Sequence, residues 1–224
     1  MTRTLFFKLL MAGSAITFLG IACDRPIQSP TQSGSPPMDS SATHDSTRKG
    51  EIEPTAASIG GRLSVKWPLG VSPSGWTGVD GDRTGTSSYH RGAEYYARDL
   101  AHPSYTRVSI HAGISGQVVK VYKTCANINS ACNGGYGNEV VVYDWSRHVA
   151  VRYAHLSFVA LDVNLGTWVS VGRYLGAMGT SGRSSGPHLH IVSFENIDHF
   201  SGGWPIIPTP NDDMYYACIT AFYF

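Results

Sequence analysis

The sequence predicts an all-β fold built on an antiparallel sheet, and three observations carry that expectation. β-Branched and aromatic residues come in short runs separated by Gly, Asn, Ser or Pro. No segment sustains a helical period over three turns. The connections between runs are short, which suits antiparallel neighbours, because a parallel crossover needs about a dozen residues or more. Strands are expected at Ser115 to Tyr122, Glu139 to Trp145, His148 to Leu156, Trp168 to Val171 and His188 to Phe194.

The 224-residue chain begins differently. Met1 to Lys8 carries Arg3 and Lys8 with no acid, and Leu9 to Ala22 is almost unbroken apolar sequence. That run is too short for the roughly 20 residues that span a bilayer and fits the apolar core of an export signal. Residues 1–22 are therefore expected to be a leader. The run closes on Leu-Gly-Ile-Ala-Cys, similar to the lipobox of bacterial lipoproteins, although the Leu stands one place early, at Leu19. Cys23 is the expected lipid anchor, with simple secretion after Ala22 as the alternative. From Asp24 to about residue 59, Ser, Thr, Pro, Gln and Gly dominate. Such sequence buries too little apolar surface to offset its ordering entropy, so it reads as a tether in which His44 is solvated.

Residues 60–224 are long enough for one domain with a sizeable core. Of 17 Lys and Arg, the leader takes Arg3 and Lys8, leaving 15 basic against 16 acidic residues. A nearly neutral chain carries no electrostatic footprint for nucleic acid or an acidic polymer. Composition gives no reason to expect more than a monomer. In an oxidising compartment Cys125 and Cys132, flanking Ala-Asn-Ile-Asn-Ser-Ala, are expected to form a disulfide, with Cys218 left over as a small buried residue.

The expected strand at His188 supplies the first chemistry. It follows the Gly- and Ser-rich loop Gly179 to Pro187, and alternation turns His188 and His190 to one face, with Leu189 and Ile191 on the other. Two imidazoles on one face can divide metal binding from proton transfer. In Val151-Arg152-Tyr153-Ala154-His155-Leu156, alternation sets His155 at the end of the stripe of Val151 and Tyr153. Upstream, Tyr89 to Leu100 contains His90, Glu94 and Asp99. His102, His111, His148 and His199 read as structural or exposed.

The order of these segments resembles the lysostaphin and LytM-type zinc metallopeptidases, which cleave peptide cross-links of bacterial peptidoglycan. The resemblance spans roughly residues 66–194: Trp67-Pro68-Leu69, the His90 segment, Ala112 with Gly116 and Val118, Gly135-Tyr136-Gly137-Asn138, Tyr153-Ala154-His155-Leu156, Val171-Gly172 with Leu175-Gly176, and Gly182 to His190. It implies the family's antiparallel β domain and a Zn²⁺ held by His90, a carboxylate and His190, with His155 and His188 as catalytic histidines. The family's His-x-Gly-x-Asp spacing falls on Glu94, whereas Tyr96-Ala97-Arg98-Asp99-Leu100 is similar to the Tyr-Ala-x-Asp strand of divergent members. Residues 94 and 99 have opposite parity, so one regular strand cannot aim both at the metal. Asp99 is the expected ligand, and Glu94 the alternative or a solvated turn residue.

That ligand set leaves a fourth position open for water, as catalytic zinc sites do. The resemblance implies His188 as general base, and His155 as a donor to the oxyanion or as a residue that orients the water. Loops around Gly135 and Gly182 would wall a groove for peptidoglycan peptide stems. Two other classes compete: an inactive relative that binds the wall or activates a separate hydrolase, and a carbohydrate-binding β-sandwich. Candidates for every ligand and catalytic histidine are present, which favours the enzyme. Pro205 to Phe224, rich in Tyr and Phe, lies beyond the resemblance and is expected to add a strand or cover a groove.

Overall fold

A computed structural model describes residues 62–78, 90, 94, 96–126, 130–209 and 218–223, with backbone alone at 62 and 218–221. The expected leader, the Cys23 anchor, the tether with His44 and the side chain of Cys218 lie outside the described residues. Among them, no helix is long and apolar enough to cross a membrane.

The expected strands form: β4 (Gly116–Tyr122), β5 (Asn138–Asp144), β6 (Val149–Val159), β7 (Trp168–Val169) and β9 (Leu189–Phe194). Further strands join them: β1 (Arg62–Lys66), β2 (Arg98–Leu100), β3 (Ser109–His111), β8 (Tyr174–Met178), β10 (Phe200–Ser201), β11 (Trp204–Pro205) and β12 (Cys218–Tyr223). Eight of them make the main sheet, in the order β2-β9-β6-β5-β4-β7, with β8 joined to both β6 and β3. Every pairing in that sheet is antiparallel. The fold class is as the sequence predicts. The departure lies outside this sheet, where β1 and β12 pair in parallel.

The sheet is buried on both faces. Along β5, Val140 and Val142 join a core with Val118, Tyr153, Leu189 and Ile191, while Val141 and Tyr143 turn to a second cluster with Ala150, Val192, Phe194 and Ile197. Trp204 and Ile207 pack on that second cluster, so the start of the C-terminal segment covers a sheet face. Its end supplies β12, which partners β1. A strand with two buried faces loses polar alternation, which is why Val140 to Tyr143 is continuously apolar.

β6 changes partner midway. Ala150 to Ala154 pair with β9, and Leu156 to Val159 pair with β8. Between these stretches stands His155, with φ of 60°. A non-glycine residue rarely occupies this left-handed region, and doing so reverses the side chain relative to a regular pleat. The His155 amide donates to the Tyr136 carbonyl at 2.9 Å, anchoring the irregularity.

The disulfide between Cys125 and Cys132 forms as expected. His111 is held by the Gly172 carbonyl and the Ser109 hydroxyl, both at 3.0 Å. His102 accepts from the Ser104 amide at 3.0 Å and packs on Tyr105. His148 sits in the β5–β6 turn and His199 is exposed, so all four keep the structural or exposed places read for them.

Candidate active site

Register brings the two ends of the motif set together. Asp99 on β2 pairs with His190 on β9, and Ala154 on β6 lies on the other side of His190. Leu189 and Ile191 point into the first core, so His190 and Asp99 face the opposite way. The ligand atoms of His90, Asp99 and His190 all lie within 4.8 Å of one another. Asp99 Oδ1 is 3.0 Å from His190 Nδ1, 3.3 Å from His90 Nε2 and 3.6 Å from His188 Nε2. Its carboxylate is 41% exposed, whereas the imidazoles of His90 and His190 are buried, so one side of the cluster opens to solvent.

The two remaining histidines close on the same spot. The His155 ring lies 4.7 Å from that of His188 and 5.7 Å from that of His190. Simple alternation would have put His155 in the core beside Val151 and Tyr153, away from His190. The positive φ at His155 corrects that expectation, since it carries the imidazole across to the site face.

Both imidazoles are pinned by carbonyls. His155 Nδ1 meets the Ser181 carbonyl and His188 Nδ1 meets the Gly186 carbonyl, each at 2.8 Å. A carbonyl only accepts, so Nδ1 carries the hydrogen in both rings and Nε2 keeps its lone pair when the ring is neutral. Burial holds the His155 pKa down at about 3, helped by repulsion from His190 and His188. Burial also lowers His188, although Asp99 opposes it.

Glu94 is not the solvated turn residue the sequence suggests. It does lie in a turn, with its carbonyl accepting from the Ala97 amide at 2.9 Å, but it is 1% exposed. No single strand runs through both acids, because this turn separates Glu94 from β2. The two carboxylates instead reach opposite nitrogens of one ring: Asp99 meets His190 Nδ1, and Glu94 Oε2 meets Nε2 at 2.7 Å. Burial alone would lower the His190 pKa, but hydrogen bonds and charge from Asp99 and Glu94 raise it to about 9. Burial would raise Glu94, yet Arg152, His190 and Tyr136 hold it at about 2. Burial is likewise overcome at Asp99, which hydrogen bonds from His190 and His90 hold far below the usual carboxylate range.

Sequence reading missed the groups behind Glu94. Arg152 is fully buried, ion-paired to Glu94 and to Glu139 (3.1 Å), with its guanidinium 3.9 Å from the centre of the Tyr136 ring. The Tyr136 hydroxyl donates to Glu94 at 2.9 Å. The available signal was a lone Arg inside the apolar run Val149 to Leu156, since a charge on a buried strand must be paired.

Two imidazoles and a carboxylate converging at one open-sided point are a donor set that suits zinc, and the carboxylate on the far nitrogen of His190 is the usual outer support of such a ligand.

Residues 90–200 match the model of peptidase family M23. The M23 match spans all five candidate residues and supports the family resemblance seen in the sequence. A DD-carboxypeptidase/endopeptidase Mpg from Neisseria meningitidis serogroup B is 40% identical over 81 residues, covering 34% of this chain and 17% of that protein. The Neisseria gonorrhoeae protein of the same name is 40% identical over 80 residues, with the same coverage. The chain thus spans under a fifth of the length of these relatives. Among solved structures, the catalytic domain of lysostaphin from Staphylococcus simulans is 23% identical, covering 66% of this chain and 86% of that one, with a TM-score of 0.37. A catalytic-domain mutant of the prophage-encoded M23 protein EnpA from Enterococcus faecalis is 26% identical, covering 64% and 94%, with a TM-score of 0.41. TM-scores of this size reflect only partial superposition.

Proposed function

We propose that the protein is a zinc-dependent endopeptidase that hydrolyses peptide cross-links of bacterial peptidoglycan. The observation that carries this reading is the convergence of His90, Asp99 and His190 beside two carbonyl-pinned histidines. The M23 match and the endopeptidase named among the Neisseria relatives agree with the reaction class.

His90 Nε2, Asp99 and His190 Nδ1 would hold the ion. Zinc there supplies Lewis acidity, polarising a carbonyl and acidifying water. His188 Nε2 accepts a proton from the attacking water as the new C–O bond forms, then delivers it to the amine as the C–N bond breaks. His155 Nε2 is an acceptor in the neutral ring, which favours orienting the water over donating to an oxyanion. The Gly135 and Gly182 loops would form the groove walls. The leader, the tether and Cys23 support action in the cell envelope, with Cys23 as lipid anchor.

The test separates metal binding from chemistry. His188→Ala should keep near-stoichiometric zinc and lose about 10² to 10⁴ in turnover. His190→Ala should lose zinc and turnover together. Zinc retained as tightly in His190→Ala as in the parent would overturn the ligand set.

A further inference from the structure

Glu94 holds a place that neither a metal ligand nor a simple structural acid explains. It is separated from the Asp99 strand by a turn, and its Oε2 meets the ring nitrogen of His190 that faces away from Asp99. Its other oxygen is occupied by Arg152 and by the Tyr136 hydroxyl. Arg152 is locked in turn by Glu139, by the Pro208 carbonyl at 3.1 Å and by the Tyr136 ring. Glu139 reaches the surface through Lys120 at 2.7 Å. A row of alternating charges therefore runs from solvent through the interior and ends on one imidazole.

Burying such a row is costly, and apolar residues of similar size would hold the same sheet at least as well. What they could not do is select a tautomer. A neutral imidazole offers only one nitrogen as a lone-pair donor, and the partner of the other nitrogen decides which one. We propose that Glu94 is a positioning residue: by accepting the Nε2–H of His190 it fixes the tautomer that turns Nδ1 toward Asp99 and His90. Arg152 and Tyr136 hold the Glu94 carboxylate in the orientation this requires. The inference rests on the metal-binding reading above and adds a residue to it that touches neither substrate nor metal.

The experiment uses the full chain, with zinc alone as the probe. Competition with a chromophoric chelator gives the zinc dissociation constant of the parent and of Glu94→Gln, with melting of the chelated proteins as the control for folding. Glu94→Gln should bind zinc about 10- to 100-fold more weakly. Binding as tight as the parent's in a folded variant would overturn the inference. Where Glu94→Gln does not fold, nitrogen NMR of the histidine-labelled, zinc-loaded parent decides: His190 should show Nε2 protonated and Nδ1 ligated, and the reverse assignment would overturn the proposal. A purely structural acid would not set that signature. A parent that binds no zinc at all would instead remove the metal-site reading, and this inference with it.

Discussion

His155 shows how one backbone angle decides which residues can react together. Its φ of 60° moves the imidazole from the core face to the side of His188 and His190, at the point where β6 exchanges β9 for β8. Holding a non-glycine residue there costs on the order of 1 kcal/mol, and glycine would relieve it. His155→Gly should therefore be about 1 kcal/mol more stable than His155→Ala in urea unfolding, with both lacking most of the turnover. Equal stabilities would mean that the angle relaxes freely. The same residue makes a pH prediction. Its folded pKa of about 3 lies below the ordinary imidazole value of about 6.5, so the unfolded chain binds the extra proton first as pH falls. Stability is fully present above about pH 6.5 and is lost toward pH 3. His155→Asn tolerates a positive φ and does not titrate, so in chelator it should lose less stability than the parent between pH 7 and pH 5; identical losses would contradict this assignment. At both His155 and Glu94, strand alternation misplaced the side chain. Alternation holds only within a regular strand; His155 interrupts one, and Glu94 lies in a turn before β2.

The loops beside the site are tied to one another. The Ser130 amide donates to the Gly182 carbonyl at 2.8 Å, and the Arg183 amide to the Gly135 carbonyl at 2.7 Å. A Cβ at Gly182, where φ is 75°, would stand 2.3 Å from the Gly137 nitrogen, so only glycine lets these backbones meet. The Cys125–Cys132 disulfide closes the loop that carries Ser130. Replacing both cysteines by Ser should lower stability by about 2 to 3 kcal/mol, from the closure entropy of so short a loop, measured by chemical denaturation. An unchanged midpoint would show that the backbone ties hold this loop without it. The long strands were legible because Val, Tyr and Phe cluster in them. β8 was not, because Gly176 interrupts Tyr-Leu-Gly-Ala-Met. That glycine is required there, since a Cβ would lie 2.3 Å from the Phe158 carbonyl oxygen. β2 and β3, three residues each, are too short to show a period.

The molecule as a whole gathers its site from distant parts of the chain. His90, Asp99, His155, His188 and His190 come from three separate stretches of sequence, and the register of β2, β9 and β6 sets Asp99, His190 and Ala154, the neighbour of His155, side by side. Their family pattern made them findable without that register. Arg152 had no such pattern, and its pairing with Glu94, 58 positions away, cannot be read from local sequence. The C-terminal segment was equally opaque: β12 adds the expected strand beside β1, while Ile207, with Trp204 just before the segment, covers a sheet face rather than a groove. Whether this assembly cuts peptide bonds is best tested by incubating the full chain with defined muropeptides of each cross-link type and identifying the fragments. Cleavage of a cross-link, abolished by chelator and restored by stoichiometric zinc, is the expected result. Binding to sacculi or stimulation of a separate hydrolase, with no cross-link of any type cut by the zinc-loaded protein, would contradict it and leave the five residues as the remnant of an active site.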